Sequence, residues 1–463
     1  MLEPARHAAH RAAIAEDVDV VVVGAGAAGL AAARHLTGAG LRTAVLEAAP
    51  HVGGRMSTEK VDGFRLDRLG RLLATSYPEL RHTPGLDALA LRPFSPGVLL
   101  HSDGHHHRVA APGTSRSARG ALTTARALAS APRLPLPRPA RGTSRPGALG
   151  GPLDPSRLAM ALGRLAATEP ERLLARPEGT TARALASRGL PPRTVEGVLR
   201  PLLAALLCDP DLTTSSRCAD LALHSFATGL LCLPEGGADA LPELLAAGLP
   251  PGTLHTNVEV TAVSTTTVAT REHGEIRCRA VLVATGARAA AELLPGLRVP
   301  AFHQVTVLHH TTDEPPLADP ALLLDADRSG PVAHTAVVSQ VDPTRAPAGR
   351  ALVSSTVLGG TPGPAHLDAA VRAQLARIYG TPTARWELLA VHHEPEAVPA
   401  MAPPHDARRP VRLLAGLYVC GDHRDTSTVQ GALHSARRAA HALLRDLGVR
   451  PAPPAGRLEP AAA

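Results

Sequence analysis

Three glycines, Gly24, Gly26 and Gly29, punctuate the stretch VVVGAGAAGL at residues 21–30. The spacing G-x-G-x-x-G breaks no bond itself; it shapes a backbone that can hold a pyrophosphate. Gly24 permits the tight turn, Gly26 lets the backbone approach the phosphates, and Gly29 lets the following helix pack closely on the strand. Ala28 lies in the same turn, where the helix N-terminus offers unpaired N–H groups and the positive end of its dipole. Glu47 follows Gly29 by eighteen residues. An acid there accepts hydrogen bonds from ribose hydroxyls and repels a ribose 2′-phosphate. These residues point to a dinucleotide site and leave open whether a nicotinamide or a flavin dinucleotide occupies it.

The elements that must position them read as follows. Residues 18–23 are apolar apart from Asp19 and read as a strand buried on both faces of a parallel sheet. Residues 27–39 are rich in alanine, stop at Gly38 and Gly40, and read as a helix. RTAVLE at 42–47 reads as the next strand, completing a βαβ unit. Residues 157–250 alternate helical Leu/Ala patterns with prolines. Residues 254–284 turn strand-like, with a turn near His273–Gly274, and further strands fall within 301–360. A helix is expected over 365–379, a short strand over 417–420, and a last helix over 431–447. The Pro-, Arg-, Ser- and Gly-rich stretch 110–155 is expected to be loop-rich and the tail 451–463 disordered.

Further motifs narrow the dinucleotide. HVGGR stands at 51–55, VDGFRLDRLG at 61–70, LPEGGADALPELLA at 233–246, HTNVEVTAV at 255–263, RAVLVAT at 279–285 and LYVCGDHRDTSTVQGALHSARRAA at 417–440. In this order, with the glycine turn and Glu47, they resemble the FAD-dependent amine-oxidase superfamily, which includes monoamine oxidases, protoporphyrinogen oxidases and phytoene desaturases. The resemblance implies FAD held non-covalently. Gly53, Gly54 and Arg55 would run along the pyrophosphate, with Arg55 as a charge-assisted contact. Gly70 would lie beside the isoalloxazine and the Val258 backbone at the adenine. Gly421 and Asp422 would meet the ribityl chain and phosphate. Gly431 and Ala432 would open a helix aimed at the flavin pyrimidine edge, where an N-terminus stabilises the negative charge of a reduced flavin. The chain departs from the family pattern twice. Arg68 and Leu69 separate Asp67 from Gly70 where one residue is usual, and Ala436 rather than glycine follows Ser435.

The same resemblance implies a Rossmann-type α/β FAD-binding domain interleaved with an α+β substrate domain. The first would comprise 15–85, 230–296 and 405–450, the second 86–229 and 297–404. The chemistry implied is dehydrogenation, or desaturation, of an apolar small molecule by hydride transfer to the flavin. Amine oxidation and a non-catalytic FAD-binding assembly module are the alternatives. Lys60 is the only lysine, badly placed for the lysine that monoamine oxidases set near their flavin, and Tyr418 is the only aromatic near the C-terminal motif. A nicotinamide-linked dehydrogenase leaves Gly53–Arg55 and Gly421–Asp422 unexplained. No catalytic residue can be named from the sequence.

Composition bounds the partners. A chain of 463 residues with 44% hydrophobic residues suits two globular domains, and at 2% aromatic content its core is built of Ala, Leu and Val. The net charge of +7 comes from dispersed arginines, without the clustered patch and stacking aromatics that nucleic acid requires. Five cysteines, an odd number with no C-x-x-C pair, argue against a disulfide framework and a zinc site and suit a reducing cytoplasm. The first residues carry no apolar signal region, and no apolar run reaches membrane-spanning length. Peripheral membrane contact and the oligomeric state stay open. HSDGHHHR at 101–108 reads as an exposed hairpin rather than a metal site, with Asp103–Gly104 at its turn. His309–His310 and His392–His393 read as strand or loop residues, any of which could border a substrate cavity.

Overall fold

The computed structural model describes residues 18–110, 154–360 and 364–450. Most of the stretch expected to be loop-rich, from 111 to 153, lies outside the described residues, as does the tail expected to be disordered.

Val20–Val23 is flanked in parallel by Thr43–Glu47 and Ala280–Val283. Leu254–Thr256 extends the sheet beyond the first neighbour and Leu417–Val419 beyond the second, both in parallel. Arg412–Leu414 closes the far edge antiparallel. The four valines alternate between two cores, as a strand buried on both faces must. Val20 and Val22 join the core under helices Ala27–Gly38 and Val429–Asp446. Val21 and Val23 join the opposite core, together with Val268 and Ile276 from a three-stranded antiparallel sheet. The strand-like stretch 254–284 thus divides. Its ends enter the parallel sheet, and its middle, Val260–Val263, Thr267–Thr270 and Gly274–Arg277, covers one face. The two helices meet through small residues, among them Ala32, Ala33, Ala436 and Ala440, all fully buried.

A seven-stranded sheet forms the other half. Its spatial order is Glu387–Pro399, Phe302–Thr312, Ala351–Leu358, Val332–Val337, Leu323–Asp325, Val98–Ser102 and His105–Val109. Neighbouring residues again face opposite cores. Leu99 and Leu323 pack with helix Pro364–Tyr379, whereas Leu100 and Leu324 pack with the helices of 154–228. The helical pattern expected over 157–250 is interrupted by the strand Leu231–Pro234, which pairs with Leu73–Ala74 and Leu91–Pro93. The long strand Glu387–Pro399 does not follow from its sequence, which carries Glu, His and Pro. It lies at the sheet edge, where a proline's missing N–H faces no neighbour. The 101–108 run forms the expected hairpin, turning at Asp103 and Gly104, both at positive φ, but only its second strand is exposed as expected: His101 and Ser102 are buried, because their strand is covered by the neighbouring strand Leu323–Asp325. All five cysteines are free thiols. Among the described residues no helix is long and apolar enough to cross a membrane.

Candidate functional site

The parallel strands release their chains at one edge of the sheet, the usual place for a ligand crevice in α/β folds. A cleft of about 470 Å³ opens there. Gly26 and Ala28 line it from the first turn, Gly53, Gly54 and Arg55 from the second loop, and Gly421, Asp422 and Ala432 from the C-terminal motif. Gly26 and Gly53 form an isolated bridge, and Gly53 N donates to Ala25 O at 2.9 Å, so the two glycine motifs are laced together. A Cβ added at Gly29 would stand 1.9 Å from Gly24 O, so only glycine lets helix and turn approach this closely. A Cβ at Gly26 would instead meet nothing within 4 Å. The backbone there borders free space, as a phosphate cradle requires.

Glu47 stands at the end of its strand. Its carboxylate accepts from Ala25 N at 2.7 Å and from Ala49 N at 2.9 Å. Val258 N donates to Glu47 O at 2.9 Å, which places Val258 beside the acid. Arg55 Nη2 donates to Asp422 Oδ1 at 2.7 Å, and Arg55 Nη1 donates to Ala397 O at 2.8 Å. Burial works to raise the Asp422 carboxyl, but the Arg55 charge and hydrogen bond outweigh it and hold the group below its ordinary range. Helix Val429–Asp446 begins at Thr428, whose Oγ1 accepts from Gly431 N at 3.0 Å. Gly431 itself serves close packing, since a Cβ there would lie 1.9 Å from Thr426 O. Ala436 is fully buried in the core between the helices, so the departure from glycine fills space rather than obstructing the cleft.

Gly70 falls outside the cleft lining. Its neighbours Arg68, Leu69 and Arg71 line the cleft, while Gly70 borders a second cavity of about 40 Å³ behind them. Leu72, Phe94, Leu233, Val307, His309 and His334 share that cavity. Burial pushes His309 and His334 down to about 4, so both imidazoles are neutral at ordinary pH. His309 Nε2 bonds Asp67 O at 3.0 Å, and its ring stands 5.5 Å from that of His392, a cleft residue. Asp67 is held by the buried Arg345 at 2.8 Å.

Several cleft residues escape sequence reasoning. Thr428 carried a signal, a threonine just before an alanine-rich helix. Phe302 and Glu396 carried none, because the long antiparallel pair that delivers them is a tertiary feature, whereas His392 and His393, read from sequence as possible cavity residues, do line the cleft.

A crevice at the carboxyl edge of a parallel sheet, with a glycine cradle, an acid at the second strand and a helix N-terminus opposite, defines a dinucleotide-binding fold. Residues 27–444 match the family described as flavin-containing amine oxidoreductase, and the chain belongs to that family. Its cofactor is FAD, the flavin with a pyrophosphate for such a cradle to hold. The chain is 44% identical to a putrescine oxidase of Kocuria rosea over 94 residues, 19% of each protein. It is 58% identical to a phytoene dehydrogenase of Streptomyces griseus over 48 residues, 10% of each. These matches span a fifth or less of the curated relatives' lengths. Solved structures match throughout. A putrescine oxidase with bound putrescine superposes at a TM-score of 0.65 with 19% identity, covering 93% of this chain and 99% of that one. A putative protoporphyrinogen oxidase of Exiguobacterium sp. 255-15 superposes at 0.66 with 17% identity, covering 94% and 100%. At such identities the likeness establishes the fold.

Proposed function

We propose that the protein is an FAD-dependent oxidoreductase that dehydrogenates a neutral, largely apolar small molecule. The observation carrying this reading is the small cavity behind the Leu69–Arg71 turn. Its apolar lining includes Leu72, Phe94, Leu233, Val307 and Leu322. The charges around it are committed to one another, Asp67 to Arg345 at 2.8 Å and Arg65 to Asp239 at 3.6 Å. Neutral His309 and His334 offer hydrogen bonds there but no charge, so this cavity holds no free anion for an ammonium group. The cavity receives one end of a substrate whose reacting carbon lies in the cleft.

Gly24, Gly26, Ala28 and Gly29 seat the cofactor pyrophosphate, Glu47 takes the ribose, and the Val258 backbone meets the adenine. Arg55, fixed by Asp422, presents positive charge to the phosphates beside Gly53 and Gly54, and Gly421 borders the ribityl chain. The helix that opens at Val429, with Gly431 and Ala432 in its first turn, directs its dipole toward the flavin ring. Gly70 shapes the turn that separates the flavin from the cavity. Bound there, FAD supplies a hydride acceptor. Attachment is non-covalent: Cys420, beside the motif, is fully buried, and burial pushes its thiol up to about 12. Segments 15–85, 230–296 and 405–450 hold the cofactor, and 86–229 and 297–404 hold the substrate.

Anaerobic mixing of FAD-loaded protein with neutral polyenes, tetrapyrrole precursors and primary amines tests the reading, through bleaching of the flavin band. Bleaching by a neutral compound and by no amine is the expected result. Bleaching by amines alone would replace the reading with amine oxidation, which the family's description and the putrescine oxidase similarity favour.

A further inference from the structure

The sheet edge that carries the histidine run holds a second set of ligating side chains, apart from the cleft. Leu323–Asp325 pairs in parallel with Val98–Ser102 so that Asp325 is the register partner of His101. The chain then turns at Ala326, whose N–H donates to His101 O at 3.0 Å, and brings Asp327 back to the same place. One ligand atom from each of His101, Asp325 and Asp327 lies within 4.8 Å of the others. His101 Nδ1 is 3.9 Å from Asp325 Oδ1.

His101 is 5% exposed, and both its ring nitrogens are buried without a hydrogen-bond partner. An unmet buried polar atom is costly, and native proteins rarely leave two on one side chain. Asp325 is 4% exposed, and among the described residues His101 is its only basic neighbour within salt-bridge distance. An orphaned imidazole facing a buried carboxylate and a second, exposed one is short of a cation.

We propose that His101, Asp325 and Asp327 bind a zinc ion. One imidazole nitrogen and two carboxylate oxygens are donors that zinc accepts, whereas calcium and magnesium take oxygen alone. Zinc–ligand bonds in a tetrahedral site place ligand atoms roughly 3.4 Å apart. His101 and Asp325 therefore close by about half an ångström, and Asp327 moves in on its exposed loop. The carboxylates keep lone pairs for the metal. Asp325 Oδ1 accepts from Asp327 N at 3.0 Å, while its Oδ2 is taken by Ser329 and by Gln374 of the neighbouring helix. Asp327 accepts from Ser102 Oγ and Asp103 N, each at 2.9 Å. Such outer bonds orient carboxylates for a metal. A water completes the coordination on the exposed side. None of the three residues lines the cleft, so the ion ties the 325–330 loop to the hairpin and has no part in flavin chemistry.

The test uses untagged, FAD-loaded, full-length protein, stripped with a chelator and titrated with zinc chloride in a calorimeter. Metal retained after desalting is counted by mass spectrometry. One zinc per chain and a higher Tm with zinc are expected. His101→Ala and Asp327→Asn should each weaken binding more than about tenfold, a loss that even an outer partner's removal can cause. Asp327 is exposed, so its variant stays informative if His101→Ala disturbs folding. The double variant His105→Ala/His107→Ala, on the exposed face of the hairpin, should change nothing. Absence of zinc uptake overturns the proposal and leaves His101 and Asp325 as an ordinary buried pair. Uptake that survives both single variants, or that vanishes with the exposed pair, overturns it as well.

Discussion

Glu47 holds two backbone N–H groups, those of Ala25 in the glycine turn and of Ala49 just past its own strand, at 2.7 and 2.9 Å. Its carboxylate therefore shapes the glycine turn, in addition to the ribose contact proposed for it. Glu47→Ala removes charge-assisted bonds, each worth about 1.5–3 kcal/mol. FAD affinity should fall by roughly ten- to a hundredfold for one such bond. Fluorescence titration of the apoprotein with FAD measures it, and an unchanged Kd would remove Glu47 from the ribose. Glu47 was legible because its distance from Gly29 is set by one βαβ unit. The pairing of Arg55 with Asp422 was not. Those residues lie 367 positions apart, and each was read as a separate cofactor contact.

Elements with a local signature were legible in the same way. The valine strand, the helix read over 27–39 and the hairpin read over 101–108 announce themselves by run, composition or turn. Glu387–Pro399 does not, because its strand conformation comes from pairing with Phe302–Thr312 rather than from its own residues. The clamp between the two halves was also hidden. Arg345, 1% exposed, bonds Asp67 at 2.8 Å, Asp342 at 3.2 Å and Pro234 O at 3.2 Å. It thereby joins the hairpin of 58–67 to the Leu231–Pro234 strand and to the segment after Val332–Val337. Arg345→Ala leaves two buried carboxylates uncompensated and should destabilise the protein by about 3–5 kcal/mol. Urea unfolding of the apoprotein reads that loss, and an unshifted midpoint would mean the clamp contributes nothing net.

At the scale of the whole molecule, buried neutral histidines couple stability to pH. His309 and His334 border one cavity and His423 follows Asp422 in the C-terminal motif, and burial is the largest cause that lowers each from 6.5 to about 4. Unfolding releases them to titrate near 6.5. Between about 6.5 and about 4 the unfolded chain therefore binds more protons than the folded one, and stability must fall as pH falls through that window. Above it, their contribution is fully present. Below it, both states are protonated and the histidine contribution levels off. The carboxylates then take over. Asp67, Asp342 and Asp422 are all held below 3.8, so the stability they supply is lost at still lower pH, as each passes its depressed folded value. Urea midpoints of the apoprotein at pH 7.5, 5.5 and 4.5 should decrease in that order. His309→Gln/His334→Gln, which cannot take up those protons, should flatten the decline between the first two points. A wild-type midpoint that stays level from pH 7.5 to 4.5 would show that these imidazoles titrate alike in both states. The neutral wall assigned to the substrate cavity would then fall with them.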